Sequence, residues 1–354
     1  MLFRKKDHLI GLDIGSRSIK VGEVTRSKKG FSLRKFGTID TPLGAIEGSV
    51  IHDLPAVSET IRALFTEHKI REKNIAISIG GDSVIVKTIN MNKMEEEELA
   101  ASIPFEAEQY IPYDISDVNL DYQIIGENEY NPGQMSVLLV AVKKEMVDEY
   151  IGLLDSAGLT LRIIDVDAFA LQNIYEANYH TEQGRPEHVA LVDIGAGKTS
   201  LNILKGSDSL FMRDISFGCE QINERIMAET DLPEEEVEMI KLGTVKGALA
   251  ADTLSEILSL VTGDWCSEIA GELNLFYSTY SNAKVDRIIL SGGGGKIAAF
   301  RELLAEQTQT TVDIIDPFQG LDLSGTSMAP DYLAAIAPQA AICLGLAIRR
   351  VDDK

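Results

Sequence analysis

The chain has 354 residues, of which 45% are apolar and 25% are charged, and its formal net charge is −22 at pH 7. A chain of this length and apolar content can bury more than one hydrophobic core, so two lobes are expected. The acidic excess argues against nucleic acid or anionic lipid as a general partner, because binding phosphate groups needs clustered Lys and Arg. The basic run Arg4-Lys5-Lys6 is short and is expected to be a solvated tail.

The sequence predicts neither a secretory signal nor a transmembrane segment. The basic start leads into Asp7, His8 and a short strand instead of an apolar core segment. The longest uncharged stretch, 332–348, has 17 residues and contains Pro338. A membrane span needs about 20 strongly apolar residues, so a buried helix is expected there. Three cysteines lie far apart, which predicts neither a disulfide framework nor a zinc site and indicates a reducing cytoplasm.

The first lobe is predicted to begin with a strand hairpin. An apolar strand ends in Asp13-Ile14-Gly15, small and hydroxyl residues follow, and a second alternating strand begins at Ile19. Glycine lets backbone N–H groups approach phosphate oxygens, hydroxyls add donors, and an aspartate at a strand end can hold a hydrated Mg²⁺. We expect this turn to bind one side of a polyphosphate. Its candidate residues are Asp13, Gly15, Ser16, Arg17, Ser18 and Lys20.

Further elements complete the first lobe and lead into an inserted unit. Residue patterns predict strands at 9–14, 19–25, 31–39 and 74–79 and a helix at 55–67. Gly80-Gly81 then marks a break in the pattern. The inserted unit is predicted to hold strands at 84–91, 118–125 and 136–142, an acidic helix start at 95–98 and a helix at 144–157.

A strand at 161–166 and a helix around 169–178 return the chain to the first lobe, and the polar stretch 180–187 is predicted to cross to the second lobe. Asp165 ends this strand, between the first hairpin and a second, similar hairpin of the next lobe. It is a candidate to position a water that attacks bound nucleotide. A cap for the following helix is the alternative role. The residues leave open whether a nucleotide is hydrolysed slowly or only held.

The sequence pattern of the first hairpin recurs 180 residues later, in the predicted second lobe. A single such turn commonly serves only to reverse the chain, so the evidence lies in the repeat: two turns can grip one polyphosphate from opposite sides. The second turn resembles the end of a P-loop, but a strand follows it where a Walker motif needs a helix. Its candidate residues are Asp193, Gly195, Gly197, Lys198 and Thr199. Asp13 and Asp193 would orient the waters of Mg²⁺, while Lys20 and Lys198 would either neutralise phosphate charge or point outward.

Two later segments suit the nucleoside end of a nucleotide. A predicted strand at 285–290 runs into a glycine turn, with Gly292, Gly293 and Gly294 as candidates, and a helix-like stretch follows at 297–307. Such a turn lets a flat base or a ribose lie against the backbone, and a merely flexible turn is the alternative. Glu238 and Lys241 are three residues apart on one face of a predicted helix, where an exposed ion pair is also expected.

The order of these motifs resembles the actin, Hsp70 and sugar-kinase superfamily. Within it, the chain resembles the FtsA-like PilM family of type IV pilus assembly, on residues 103–112, on residues 164–171 and on Gly218 with the helix after it. The resemblance covers essentially the whole chain. It implies an α/β actin-like ATPase fold, with two related lobes (duplicated RNase H-like cores) around a nucleotide cleft and an FtsA-type subdomain inserted in the first lobe.

The resemblance also implies bounds and ligands. The first lobe is expected at 8–82 and 161–187, the inserted unit at 83–160 and the second lobe, with its adenosine turn, at 188–349. The implied cofactors are ATP and Mg²⁺. Gly218 is an implied contact of the nucleotide, and Glu238 and Lys241 are implied contacts of the ribose.

A cytoplasmic adaptor is the function that the resemblance implies. The inserted unit and the first lobe would form a groove for the N-terminal cytoplasmic segment of PilN, an inner-membrane protein, so the chain would be peripheral to that membrane and would contact other pilus components, as a single copy or as a homo-oligomeric ring. Tyr110 and Tyr113 are candidate anchors, with core packing as the alternative. The groove candidates are Ile103, Phe105, Tyr110, Ile111, Pro112 and Tyr113.

Two rival functions follow from the same superfamily, because one fold hosts several activities. The first is an FtsA-type filament protein tethered to a membrane. FtsA-like proteins carry an amphipathic tail for that tether, whereas 349–354 directly follows the last predicted helix here. The second is a small-molecule phosphotransferase, for which the sequence carries no distinctive substrate motif.

Overall fold

The computed structural model describes residues 8–28, 30–128, 131–179, 187–242, 249–280 and 282–351. The predicted basic tail Arg4-Lys5-Lys6 and nearly all of the predicted crossing at 180–187 lie outside the described residues. Within the described parts, the chain is a mixed α/β protein with two large sheets and a smaller three-stranded sheet.

The first large sheet is built around the first hairpin. Its early elements are β1 (Ile10–Ile14), β2 (Ser18–Ser27), β3 (Gly30–Asp40), the short pair β4 (Ile46–Glu47) and β5 (Val50–Ile51), α1 (Leu54–Glu67) and β6 (Asn74–Ile79). Helix α1 begins after Asp53, whose carboxylate accepts the N–H of Ala56, and it buries Val57, Ile61 and Leu64 against the sheet. β1 pairs with β2 in a register that places Asp13 opposite Lys20.

The three-stranded sheet lies in the predicted inserted unit. Its region comprises β7 (Val84–Asn92), α2 (Glu96–Ala107), β8 (Val118–Glu127), β9 (Gln134–Lys143) and α3 (Lys144–Ser156). The strands are antiparallel in the order β7-β9-β8, and α2 packs Leu99 and Ile103 into the core on one face. Helix α3 packs its buried residues, among them Tyr150 and Leu153, into the core of the first sheet.

The remaining elements complete the first large sheet and form the second, with their helices. They are β10 (Thr160–Val166), α4 (Asp167–Asn178), β11 (His188–Ile194), β12 (Thr199–Lys205), β13 (Asp208–Ile215), α5 (Glu220–Thr230), α6 (Glu234–Lys241), α7 (Ala251–Thr279), β14 (Arg287–Ser291), α8 (Ala298–Thr308), β15 (Thr311–Ile314), β16 (Leu321–Asp322) and α9 (Pro330–Ala347). Of these, β10 joins the first sheet beside β6, and β16 returns to its far edge beside β3. The domain bounds given by the sequence analysis stay predictions.

The two large sheets repeat one topology. The first runs β10-β6-β1-β2-β3-β16 and the second β15-β14-β11-β12-β13. In each, a central strand pairs antiparallel with the next strand of the chain and parallel with a strand that arrives after a helix. The predicted pair of related α/β cores is therefore confirmed. Because β1 and β11 occupy equivalent places, their Asp-Ile-Gly ends also occupy equivalent places in the two sheets.

Helices α4 and α9 pack against each other and against strands of both sheets. Helix α9 lies so close to its neighbours that a side chain at Gly345 would overlap the carbonyl of Ala170, and one at Gly11 would overlap the backbone of α9. Among the described helices, Pro330–Ala347 is long and apolar enough to cross a membrane, with a mean hydropathy of 1.2, and 61% of it is buried inside the fold. A buried helix was predicted at this position.

The close contact of α9 with α4 gives a testable prediction. Gly345→Ala should lower the free energy of unfolding by about 1–3 kcal/mol, because the added methyl group forces the two helices apart. Gly271→Ala is the matched control, since Gly271 is an exposed helical glycine with nothing near its missing side chain. It should leave the free energy of unfolding unchanged or raise it by up to about 1 kcal/mol. Urea unfolding measures both values, and equal effects of the two substitutions would contradict the packing described.

Candidate nucleotide-binding site

A cleft of about 810 Å³ lies between the two hairpins, within the size range of ligand pockets. It is lined by both Asp-Ile-Gly turns and by the start of the glycine run, so the structure brings together most of the predicted site residues. Those that line the cleft are Asp13, Gly15, Ser16, Arg17, Ser18, Lys20, Asp193, Gly195, Gly197, Lys198, Glu238, Lys241, Gly292 and Gly293.

The two hairpin turns have the same local geometry. The N–H of Gly15 donates to the carbonyl of Ser18 at 3.2 Å, and the N–H of Gly195 donates to the carbonyl of Lys198 at 2.9 Å. Each turn is braced from outside by a hydrogen bond to its glycine carbonyl, from the Thr41 hydroxyl in the first lobe and from a backbone N–H in the second. The repeat in sequence is therefore a repeat in structure, and the two turns face one cleft.

Two ion pairs between a lysine and an aspartate line the cleft. Lys20 Nζ lies 3.0 Å from Asp13 Oδ2, and Lys198 Nζ lies 2.6 Å from Asp167 Oδ2. Burial opposes the charged form of Asp167, but Lys198 outweighs it and holds the pKa of Asp167 below its usual value. Burial, together with repulsion from Asp13 and Asp167, raises the pKa of Asp193 to about 6. The negative charge of the neighbouring aspartates thus disfavours ionisation of Asp193.

This donor set fits a magnesium ion that arrives with a polyphosphate. Among the described residues, no three His, Cys, Asp or Glu side chains come together closely enough to hold a metal by themselves. Mg²⁺ usually keeps several waters and binds through one or two carboxylates together with phosphate oxygens. Asp13 and Asp193 on the cleft wall could hold such waters, and Lys20 and Lys198 supply positive charge for phosphates.

Around Glu238, the cleft combines a buried polar cluster with an apolar wall. Glu238 is 7% exposed; its Oε2 accepts hydrogen bonds from Lys241 Nζ at 2.6 Å and from Asn223 Nδ2 at 2.9 Å. The exposed ion pair that the sequence left open is therefore not what the structure contains. Arg17 reaches across from the first hairpin to within 3.8 Å of Glu238. The apolar wall consists of Ile222, Leu242, Leu258 and Ile297.

Three predicted residues lie behind the cleft wall. Thr199 is fully buried, and its hydroxyl donates to the carbonyl of Phe217 at 3.0 Å. Gly218 lies against the backbone of Ala196, and Gly294 lies against the side chain of Ile194, so neither position has room for a side chain. These residues shape the second hairpin and the glycine turn without lining the cleft.

Asp165 also lies outside the cleft lining. It is 8% exposed, and its Oδ2 accepts hydrogen bonds from Arg349 Nη1 at 2.9 Å and from Asn173 Nδ2 at 3.2 Å. Nor does it cap the next helix, since α4 has no side-chain cap. Asp167 lines the cleft instead. Because α4 begins at Asp167, the backbone turns there and directs this carboxylate to Lys198, a change of direction that the strand pattern alone does not reveal.

Other cleft residues have no motif of their own in the sequence. At the phosphate end these are Ser78, Gly80, Gly81, Tyr150, Asp167 and Asp214. They come from β6, from the break after it, from α3, from α4 and from β13, so only the folded chain brings them together. The glycine pair at the break was visible in the sequence, but only as a boundary.

Comparison with known proteins identifies the family. A family model described as type IV pilus assembly protein PilM matches residues 11–351. The chain belongs to the PilM family. The solved "PilM-PilN type IV pilus biogenesis complex" is 24% identical to it, with a TM-score of 0.86 over 98% of this chain and 99% of that one. This family had been predicted from residues 103–112, 164–171 and the helix after Gly218, and the prediction is confirmed.

Two more distant structures share the fold. The ethanolamine utilization protein EutJ from Carboxydothermus hydrogenoformans is 14% identical, with a TM-score of 0.54 over 96% of this chain and 89% of that one. MreB5 of Spiroplasma citri, bound to AMPPNP, is 13% identical, with a TM-score of 0.51 over 96% and 95%. The predicted actin-like fold is confirmed. A solved structure of this fold, that of MreB5, therefore contains a bound nucleotide analogue.

In this PilM-family chain, the predicted groove residues divide into core and surface. Ile103 and Ile111 are buried in the core of the inserted unit, whereas Phe105 is 73% exposed. Tyr110 and Tyr113 are half-buried, with Lys87 Nζ 4.7 Å from the ring centre of Tyr110 and Lys143 Nζ 4.2 Å from that of Tyr113. Pro112 is exposed. Core packing accounts for the two isoleucines, and Phe105 is the most exposed of the aromatic and isoleucine side chains among the six.

The raised pKa of Asp193 gives a prediction about stability without nucleotide. With a pKa raised from 3.8 to about 6 on folding, the folded protein keeps a proton that the unfolded chain loses between these values, so stability falls as the pH rises through this window. Asp193→Asn keeps a neutral side chain of similar shape. It should raise the free energy of unfolding by about 1–2 kcal/mol at pH 7.5, allowing for partial solvent exposure, and by much less at pH 4.5. Urea unfolding at both pH values measures this difference, and a gain that does not depend on pH would contradict it.

Proposed function

We propose that this chain is a cytoplasmic, ATP-binding adaptor of type IV pilus assembly that binds the N-terminal cytoplasmic segment of PilN. It would lie at the inner membrane through PilN and other pilus components. The observation that carries the proposal is the match of the PilM family over residues 11–351. The "PilM-PilN type IV pilus biogenesis complex" supports PilN as the partner, because its fold agrees with that of this chain over nearly the full length of both.

ATP with Mg²⁺ is the proposed ligand of the cleft. The backbone turns at Gly15 and Gly195 would cradle the phosphates from opposite sides, with Lys20 and Lys198 neutralising their charge. Asp13 and Asp193 would hold the waters of the metal ion. Glu238 and Lys241 would contact the ribose, and the aliphatic wall beside them would cover a flat base. Bound Mg²⁺ supplies charge stabilisation to the phosphates.

Hydrolysis, if it occurs, is proposed to be slow. Asp167, one of the carboxylates that line the cleft, is engaged by Lys198 at 2.6 Å, and Lys198 holds its pKa below the usual value. A carboxylate with a lowered pKa is a weak general base. Asp165, the other candidate, is paired with Arg349 away from the cleft. Both observations suit a protein that holds its nucleotide in order to set a conformation.

Asp13→Ala tests the metal part of the cleft. It should weaken Mg-ATP binding about 10-fold or more, because the waters of the ion lose one carboxylate partner. It should also reduce the gain in ATP affinity that Mg²⁺ gives over EDTA. Asp313→Ala is the matched control, since that side chain is 51% exposed on β15 and does not line the cleft. Calorimetry measures each affinity, and unchanged Mg-ATP binding in Asp13→Ala would remove Asp13 from the site.

The adaptor function has a direct test. Calorimetry of the purified protein against a peptide that copies the PilN N-terminus, with and without Mg-ATP, should give micromolar binding that is tighter with the nucleotide. Tight ATP binding without peptide binding would contradict the adaptor and favour a filament protein or a phosphotransferase.

Phe105 is the exposed aromatic side chain proposed for the partner groove. Phe105→Ser should weaken peptide binding about 10-fold, because an exposed aromatic anchor loses its apolar contact. Leu275→Ser provides the matched control on α7, where Leu275 is 44% exposed and far from the inserted unit in sequence. Both variants should unfold at the same urea concentration as the parent. An equal effect of both substitutions on peptide affinity would count against a groove at Phe105.

A further inference from the structure

A contact between the lobes lies at the phosphate end of the cleft. Asp214, on β13, accepts a hydrogen bond on Oδ2 from the backbone N–H of Gly81 at 2.6 Å. Its other oxygen accepts the hydroxyl of Ser200 at 2.5 Å, which fixes the orientation of the carboxylate. Gly81 lies between β6 of the first lobe and β7 of the inserted unit. A side chain of the second lobe therefore holds the joint at which the inserted unit begins.

The same carboxylate faces the cation of the second hairpin. Lys198 Nζ lies 2.6 Å from Asp167 and 3.7 Å from Asp214, so one ammonium group is shared between a first-lobe and a second-lobe carboxylate. Gly80, next to Gly81, packs so closely against this ion pair that a side chain there would overlap it. The Lys198 side chain is 28% exposed and lines the cleft. A polyphosphate in the cleft would compete directly with Asp214 for it.

The joint can transmit a small change to the inserted unit. Gly81 has a φ of +82°, in the left-handed region that favours glycine, and its carbonyl accepts the N–H of Val84 at 3.0 Å. This turn sets the direction in which β7 leaves the first lobe. β7 pairs with β9 along its whole length, from Val84 to Asn92, so the three-stranded sheet follows the direction of β7.

We propose that Asp214 is a positioning residue that couples the nucleotide cleft to the inserted unit through Gly81. The proposal rests on the proposed function, since it names how nucleotide regulates the partner site. A polyphosphate carries more negative charge than a carboxylate and draws Lys198 toward itself. Asp214 then no longer shares its charge with Lys198, so its hydrogen bond to Gly81 strengthens and fixes the inserted unit in one orientation.

Peptide affinity with and without Mg-ATP measures this coupling. In the unchanged protein, Mg-ATP should tighten PilN-peptide binding by about 10-fold, within the usual range of such couplings. In Asp214→Ala, measured with Mg-ATP at saturation, the gain should fall to less than about 2-fold. Asp214→Asn keeps an oxygen that can accept the Gly81 N–H and should show an intermediate gain. A full gain in Asp214→Ala would overturn the proposal.

Two further variants separate coupling from loss of structure. Asp208→Ala changes an exposed aspartate on the same strand, β13, and should leave the gain unchanged. Ser200→Ala leaves Asp214 in place but removes the hydroxyl that orients it, so it should reduce the gain even if Asp214→Ala folds poorly. A full gain in Ser200→Ala would also count against the proposal.

Hydrogen exchange at the Gly81 amide tests the contact without any peptide. Mg-ATP should slow this exchange about 10-fold in the unchanged protein and should leave it unaltered in Asp214→Ala. Equal exchange with and without Mg-ATP in the unchanged protein would overturn the proposal. If the unchanged protein binds ATP, protects Gly81 and yet binds no PilN peptide, the adaptor function fails while the contact from Asp214 to Gly81 stands.

Discussion

The structure depends on the balance of charge at the bottom of the cleft. Asp13, Asp167 and Asp193 are close enough to raise each other's cost of ionisation, and two lysines offset only part of it. Lys20 pairs with Asp13 within one hairpin, whereas Lys198 pairs with Asp167 across the cleft. Burial and this excess of negative charge together raise the pKa of Asp193. A ligand that brings both a divalent cation and phosphates, as proposed above, would offset this imbalance of charge.

The duplicated topology explains why the charges meet. Each large sheet places its Asp-Ile-Gly strand at the centre, with a hairpin partner on one side and parallel strands on the other. Two such sheets, with α4 and α9 packed against both, turn the same edge toward one cleft. Glycines at Gly11 and Gly345 allow α9 to lie within contact distance of the strand and helix backbones. The two lobes therefore contact each other through close backbone packing as well as through the ion pair of Lys198 with Asp167.

The sequence predicted most of what is local. The hairpins, the strand of 74–79, the helix of 55–67 and the buried helix near the end depend on patterns within a few residues, and the structure has all of them. No helix had been predicted over Ala251–Thr279, because Gly263 and Gly271 interrupt the sequence pattern there. The helix is stabilised by the packing of Trp265 and Phe276 in the core. The two-residue strand β16 pairs with residues of β3 that lie 290 positions earlier, and such a pairing leaves no local signal.

The residues of the candidate site also divide into those predicted from local patterns and those that only the folded chain brings together. The turn residues that line the cleft were predicted from their repeat in the sequence. The sequence pointed to Asp165, whereas Asp167 is the one that lines the cleft in the structure, since the choice between them depends on where a strand ends and a helix begins. Asp214 and Gly81 could not be paired from sequence at all, because they come from different lobes and one of them contributes only a backbone N–H.

The central claim is that the two hairpins grip one nucleotide between them. The most direct measurement is a crystal structure of the protein with Mg-AMPPNP, the nucleotide analogue that has been seen with a protein of this fold. We expect phosphates within hydrogen-bond distance of the turns at 15–18 and 195–198, with the metal ion between Asp13 and Asp193. Phosphates bound outside these turns, or no nucleotide at saturating concentration, would contradict it.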